Sequence, residues 1–132
     1  MKNRMLVMLA AALLLVPVCA MGEGQMPAYV QITQDEAKRM MEEMESVVIL
    51  DVRERDEYDA GHIPGAVLLP VGTIDEESAA SVLADKDTVT LVYCRSGRRS
   101  KIAAEALAAL GYTQVYEFGG VITWPYALVT TP

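Results

Sequence analysis

Cys94 stands at the end of the apolar run Val89-Thr90-Leu91-Val92-Tyr93 and is followed by Arg95-Ser96-Gly97-Arg98-Arg99-Ser100. A cysteine attacks as its thiolate, so its chemistry depends on what holds negative charge beside the sulfur. The pattern predicts a buried strand, a short basic loop and a helix beginning near Ser100. In that arrangement the loop's backbone N–H groups can point inward to cradle an anion, and the helix N-terminus adds positive potential. Arg95, Arg98, Arg99 and Lys101 add full charges, while Gly97 permits a turn that a side chain would obstruct. These features predict a lowered thiol pKa and an anion site. The competing reading is a buried structural cysteine next to a solvated basic turn.

The charge distribution favours the anion site. The chain has 132 residues and a formal net charge of −7. Lys2 and Arg4 precede an uncharged apolar run from Met5 to Val18, and Val18-Cys19-Ala20 offers small residues for cleavage. The run is shorter than the roughly 20 residues of a spanning helix, so residues 1–20 are expected to be a signal peptide, with export to the periplasm. Cys19 raises the alternative of a lipidated, membrane-anchored protein, although Val18 rather than Gly, Ala or Ser precedes it. Cleavage after Ala20 leaves Cys94 as the only thiol, so no intramolecular disulfide framework is expected. It also leaves nine basic residues against eighteen acidic ones, a balance that disfavours nucleic acid and anionic membrane as partners. Four of those nine basic residues fall between Arg95 and Lys101. An acidic protein has gathered its positive charge around its thiol.

The elements that must position this loop follow from local signals. Residues 21–28 read as a short connector, and Tyr29 to Ile32 as a strand. Thr33 with Glu36 has the spacing of a capping box, and Ala37, Met40, Met41 and Met44 form one apolar helix face expected to pack in the core. Val47 to Val52 is a buried strand, Glu54 to Asp59 a short helix closed by Gly61, and Ala66 to Leu69 another strand. Asp75 to Leu83 is expected to be helical, Thr88 to Tyr93 the central strand, and Ser100 to Leu110 a helix stopped by Gly111. Gln114 to Glu117 is a last strand, Gly119-Gly120 a sharp turn, and Val121 to Trp124 a helical piece. Alternating strands and helices predict one α/β domain over residues 29–126, with a mostly parallel sheet covered on both faces and a C-terminal tail at 127–132.

Two segments together carry a family resemblance. Asp51-Val52-Arg53, Glu57-Tyr58 and Gly61-His62-Ile63-Pro64-Gly65-Ala66 resemble the signature of the rhodanese homology domain. Cys94-Arg95-Ser96-Gly97-Arg98-Arg99-Ser100 is similar to the active-site loop of that family's single-domain sulfurtransferases. Gly111-Tyr112, Val115-Tyr116 and Gly119-Gly120 with Trp124 follow its closing segment. The resemblance implies a three-layer rhodanese-like fold and sulfur transfer through a persulfide on Cys94, from a thiosulfate-like donor to a thiol or cyanide. It implies substrate binding by Arg95, Ser96, Gly97, Arg98, Arg99 and Ser100, with Arg95 and Arg98 free to meet the donor and Arg99 turned inward as a brace. A protein sulfur acceptor is a further partner it allows.

Rival readings use the same residues. A sulfur-carrier or sensor module would hold the persulfide for a partner and turn over poorly. A phosphatase-like hydrolase is disfavoured because only four residues separate Cys94 from Arg99, where such phosphatases have five, and Tyr93 stands where they commonly carry histidine. His62, the only histidine, is expected to be a turn residue rather than a base. No cofactor is expected, and no metal, since ligand types are not clustered. Asp51 and Arg53 are read as a structural ion pair, with Arg53 bound to Glu57 or a nearby acid. Trp124 and Tyr126 are expected to seal the core.

Overall fold

The computed structural model describes residues 28–132. The expected signal peptide, Cys19 and all but the last residue of the connector lie outside the described residues. The order is β1 (Val30–Gln31), α1 (Gln34–Glu43), β2 (Val48–Asp51), α2 (Arg55–Ala60), β3 (Val67–Leu68), α3 (Glu76–Val82), β4 (Thr90–Cys94), α4 (Arg98–Ala109) and β5 (Val115–Gly120). The five strands are parallel in the order β1-β5-β4-β2-β3, so β4 is central and its C-terminal end opens between β2 and β5.

Local sequence accounts for the helix starts. Thr33 Oγ1 accepts the Glu36 N–H, and the Glu36 carboxylate accepts the Thr33 N–H, the reciprocal cap expected of that spacing. Asp75 caps α3 in the same way through Ser78. The strand alternation then assigns side chains to two faces. Val92 and Cys94 of β4 join Leu50, Ala79, Leu83, Ala103, Ala104, Leu107 and Val115 beneath α3 and α4. Leu91 and Tyr93 join Ala37, Ile49, Ile63, Phe118 and Trp124 beneath α1 and α2. Trp124 therefore seals the core, whereas Tyr126 is 38 % exposed. Of the methionine stripe, Met40 and Met41 pack on the core and Met44 is exposed.

Two boundary differences from the sequence expectation bear on the loop that holds Cys94. Helix α4 begins at Arg98 rather than Ser100, because Gly97 with φ of 107° turns the chain into it. Glycine adopts that left-handed conformation without steric cost. Strand β5 runs on through Gly119-Gly120 rather than ending at Glu117, with Gly119 bending it at φ of 87°, and the β4–β5 register shifts between Val92 and Cys94. The shift brings Gly120 against the loop: a Cβ on Gly120 would lie 2.0 Å from the Arg95 carbonyl oxygen and 2.5 Å from the Ser96 nitrogen. The Ile122 N–H donates to that same carbonyl at 3.1 Å. The C-terminal residues return to α2, where Val129 exchanges hydrogen bonds with His62 and the Thr131 N–H donates to Asp59.

Glycine 120 is therefore required by space. Gly120→Ala should push the loop from its seat and destabilise the fold by about 1–3 kcal/mol, the range for overpacking. Urea unfolding followed by circular dichroism measures this; an unchanged midpoint would show that the loop yields freely.

Candidate functional site

Period-two alternation in β4 points Cys94 toward α4, and the residue is 1 % exposed. The chain then reverses through Arg95 and Ser96 so that the Gly97 N–H donates to Cys94 Sγ at 3.0 Å. Ser100, two residues into α4 and fully buried, lies with its Oγ 3.3 Å from the same sulfur. Burial alone would push the Cys94 thiol up. Hydrogen bonding to the Ser100 hydroxyl and the backbone N–H groups of Ser100, Gly97 and Ser96 outweighs that and lowers it. The competing picture of an inert buried cysteine lacks a reason for these donors.

The sequence-derived candidates divide by position. Ser96, Gly97 and Ser100 surround the sulfur. Arg95 and Arg98 are exposed. Arg95 lines a depression of about 290 Å³ with Arg53, Glu57 and Val121, while Ser96, Gly97 and Lys101 line a second of similar size on the loop's other flank. Arg99 turns inward and makes a two-point bond to Glu57, Nη1 to Oε1 at 2.7 Å and Nη2 to Oε2 at 2.9 Å. That pair ties the first turn of α4 to α2. The hydrogen bonds from Arg99 hold the Glu57 carboxyl down to about 2.

Arg53 does not use Glu57. Its guanidinium lies on Asp51, with Nε to Oδ1 at 3.0 Å and Nη2 to Oδ2 at 2.6 Å, and Nη2 also donates to the Gly61 carbonyl at 2.7 Å. The nearby acid wins because Asp51 and Arg53, both buried, leave the sheet on the same side. The Tyr93 hydroxyl donates to Asp51 Oδ2 at 2.7 Å and accepts the Ile63 N–H at 3.1 Å. Burial, then the Asp51 carboxylate, pushes the Tyr93 phenol upward, so it stays a donor. Removing one member of such a buried pair costs about 3–5 kcal/mol, which makes this network a strut for the loop's N-terminal side. His62 stacks on Tyr58 at 3.7 Å, and its Nδ1 is 2.8 Å from the Tyr58 carbonyl. Its backbone bridges to Val129, just ahead of the Pro64-Gly65 turn.

Glu117 was absent from the sequence candidates. It is 3 % exposed on β5, and its Oε1 accepts the Ser100 hydroxyl at 2.7 Å and the Gly119 N–H at 2.8 Å. The available signal was a lone acid between Val115 and Phe118, at a strand position whose parity matches the buried Val115.

Comparison with known proteins gives a family and several relatives. The Rhodanese-like domain family matches residues 33–124. The thiosulfate sulfurtransferase GlpE of Coxiella burnetii is 37 % identical over 97 residues, spanning 73 % of this chain and 87 % of that protein. The thiosulfate sulfurtransferase PspE of Escherichia coli is 40 % identical over 72 residues, 54 % of this chain and 68 % of PspE. YrkF of Bacillus subtilis, named for a proposed sulfur-carrier role, is 39 % identical over 85 residues; the match spans 64 % of this chain and 44 % of YrkF. Among solved structures, a rhodanese-like domain protein of Staphylococcus aureus superposes with a TM-score of 0.68 at 33 % identity, covering 78 % of this chain and 99 % of that one.

The Arg99–Glu57 pair makes a pH-dependent contribution. Because the folded Glu57 carboxyl sits near 2 against an ordinary 4.5, its stabilisation is complete above pH 4.5 and is lost as pH falls toward 2. The native chain should exceed Glu57→Gln in unfolding free energy by on the order of 1 kcal/mol at neutral pH, the pair being partly exposed. Stepwise urea titrations should find this gap narrowing below pH 4.5. A gap independent of pH would contradict the assignment.

Proposed function

The chain belongs to the rhodanese-like domain family, and from that premise we propose that it is a thiosulfate sulfurtransferase with Cys94 as its nucleophile. The Cys94 thiolate attacks the outer sulfur of thiosulfate, the S–S bond of the donor breaks, and sulfite leaves with the electron pair. A persulfide remains on Cys94 with its charge on the outer sulfur. A thiolate acceptor, or cyanide, then attacks that sulfur and returns Cys94 to the thiolate. The observation that carries this reading is the convergence of the Gly97 N–H and the Ser100 hydroxyl on a buried thiol whose pKa is lowered. Donors fixed before the reaction stabilise an anion better than water that must reorient.

Arg95 and Arg98, both exposed on the loop, gather the anionic donor. Arg99 braces the loop through Glu57, and this occupation favours sulfur transfer over phosphoryl chemistry, since both terminal nitrogens of Arg99 are already engaged. The names of GlpE and PspE support thiosulfate as donor, and that of YrkF supports a second reading in which the loaded chain delivers sulfur to a protein thiol. We further propose export directed by residues 1–20, for which a mature N-terminus at Met21 is the expected finding.

Intact mass spectrometry tests the mechanism. Thiosulfate should add one sulfur to Cys94, cyanide or a small thiol should remove it, and Cys94→Ser should neither load nor turn over. Loading followed by discharge only to a protein thiol would favour the carrier; no adduct from any sulfane donor would refute sulfur transfer. Neutralising Arg95 and Arg98 together should raise the KM for thiosulfate and flatten its salt dependence. An unchanged KM would show that these side chains only face solvent.

A further inference from the structure

Resting on the reading of Cys94 as a persulfide carrier, we infer that the C-terminal tail supplies one wall of an acceptor site, where Leu128 and Val121 beside Arg95 select a small thiol bearing both an apolar body and a carboxylate. The two flanks of the loop differ in character. On the β1 side, Thr33, Gln34, Ser96, Lys101 and Thr123 line a mainly polar depression. On the α2 side, Ala60, Gly61, Val121 and Leu128 line one of about 290 Å³ whose walls are mainly apolar, with Arg95 as its exposed charge. A concavity of that size, apolar with one placed charge, has the make-up of a small-ligand site.

Both walls are held in place by backbone hydrogen bonds. The His62 N–H donates to the Val129 carbonyl and the Val129 N–H to the His62 carbonyl, each at 2.8 Å, while the Thr131 N–H donates to the Asp59 carbonyl at 3.1 Å. Leu128, next to the pinned Val129, packs toward Gly61: a Cβ on Gly61 would lie 3.5 Å from its Cδ1. Opposite, the Ile122 N–H donates to the Arg95 carbonyl at 3.1 Å and so keeps Val121 against the loop. Leu128 is still 42 % exposed, and that apolar surface is left for a ligand to cover. The family match ends at residue 124, so this wall comes from beyond the matched residues.

Charge completes the description of the acceptor. The other ionisable groups bordering this depression are already engaged: both Glu57 oxygens accept from Arg99, and Arg53 is bound to Asp51 and the Gly61 carbonyl. Arg95 has no carboxylate partner among the described residues. A guanidinium set between apolar walls complements a carboxylate carried on an apolar body. Donor and acceptor use Arg95 in turn, since the departure of sulfite opens it to a second anion. The acceptor thiolate then attacks the outer sulfur, the bond from that sulfur to Cys94 Sγ breaks, and its electron pair returns to Cys94 as thiolate. The acceptor leaves as its own persulfide anion, so atoms and charge balance without an oxidant.

The test follows discharge alone. Full-length chain carrying Cys19→Ser, so that Cys94 is its one thiol, is loaded with thiosulfate and freed of excess donor. Loss of the added sulfur mass is then timed with 4-(mercaptomethyl)benzoate, benzyl mercaptan, 3-mercaptopropionate and 2-mercaptoethanol at equal thiolate concentration, each rate taken relative to cyanide. The first should exceed 3-mercaptopropionate by roughly tenfold for its ring, and benzyl mercaptan by roughly threefold for its carboxylate. Leu128→Ser should remove most of the ring's advantage and Arg95→Gln most of the carboxylate's; either variant decides the matter if the other fails to fold. Equal rates for the four thiols, preferences that survive both substitutions, or discharge only to a protein thiol would overturn the inference while the loaded sulfur still supported the persulfide. A chain that never loads would overturn both.

Discussion

Cys94 Sγ lies buried at the C-terminal end of the central strand, and a charge there has exchanged hydration for whatever donors the chain can bring. Burial raises the cost of the anion, so the loop's geometry has to be fixed closely enough for a few donors to repay it. Gly97 does this first, because its left-handed φ turns its own N–H onto the sulfur and starts α4 in the same step. Gly120 does it second, by letting the end of β5 approach the Arg95 carbonyl to a distance that no side chain would permit. The register shift between β4 and β5 serves this contact, since it carries β5 past the loop before the chain turns away.

Two polar assemblies then hold the loop from opposite sides. Beneath one side, Asp51, Arg53 and Tyr93 bind each other and the Gly61 carbonyl, which fixes the ends of β2 and β4 relative to the turn after α2. Across the other, Arg99 and Glu57 join α4 to α2. Both assemblies tie arginine side chains to carboxylates, leaving Arg95 and Arg98 as the loop's exposed arginines. The division among three closely spaced arginines thus comes from where α2 sits and which acids it and β2 present.

Much of this was legible in the sequence because the signals are local. The Thr33–Glu36 cap, the apolar run of β4 and the basic loop depend on residues a few positions apart, whereas the inward turn of Arg99 was implied only by the family resemblance. The less legible features depend on distant parts of the chain. Glu57 meets Arg99 across 42 positions, and Glu117 meets Ser100 across 17. A single acid in a strand reads equally well as a solvated edge residue until α4 is known to cover it. The same holds for Gly119-Gly120, whose composition suggests a sharp turn; Gly119 does bend the chain with φ of 87°, yet the strand continues through the pair and Gly120 passes close to Arg95.

The proposed persulfide makes sulfur transfer two separable half-reactions, and the first can be observed alone. Mixing the protein with thiosulfate in the absence of any acceptor should release one sulfite per chain in a rapid burst and then stop, with none released by Cys94→Ser. Sulfite that appears only after a thiol or cyanide is added would mean that donor and acceptor react together on the protein, and the account of Cys94 as a sulfur-bearing intermediate would be wrong.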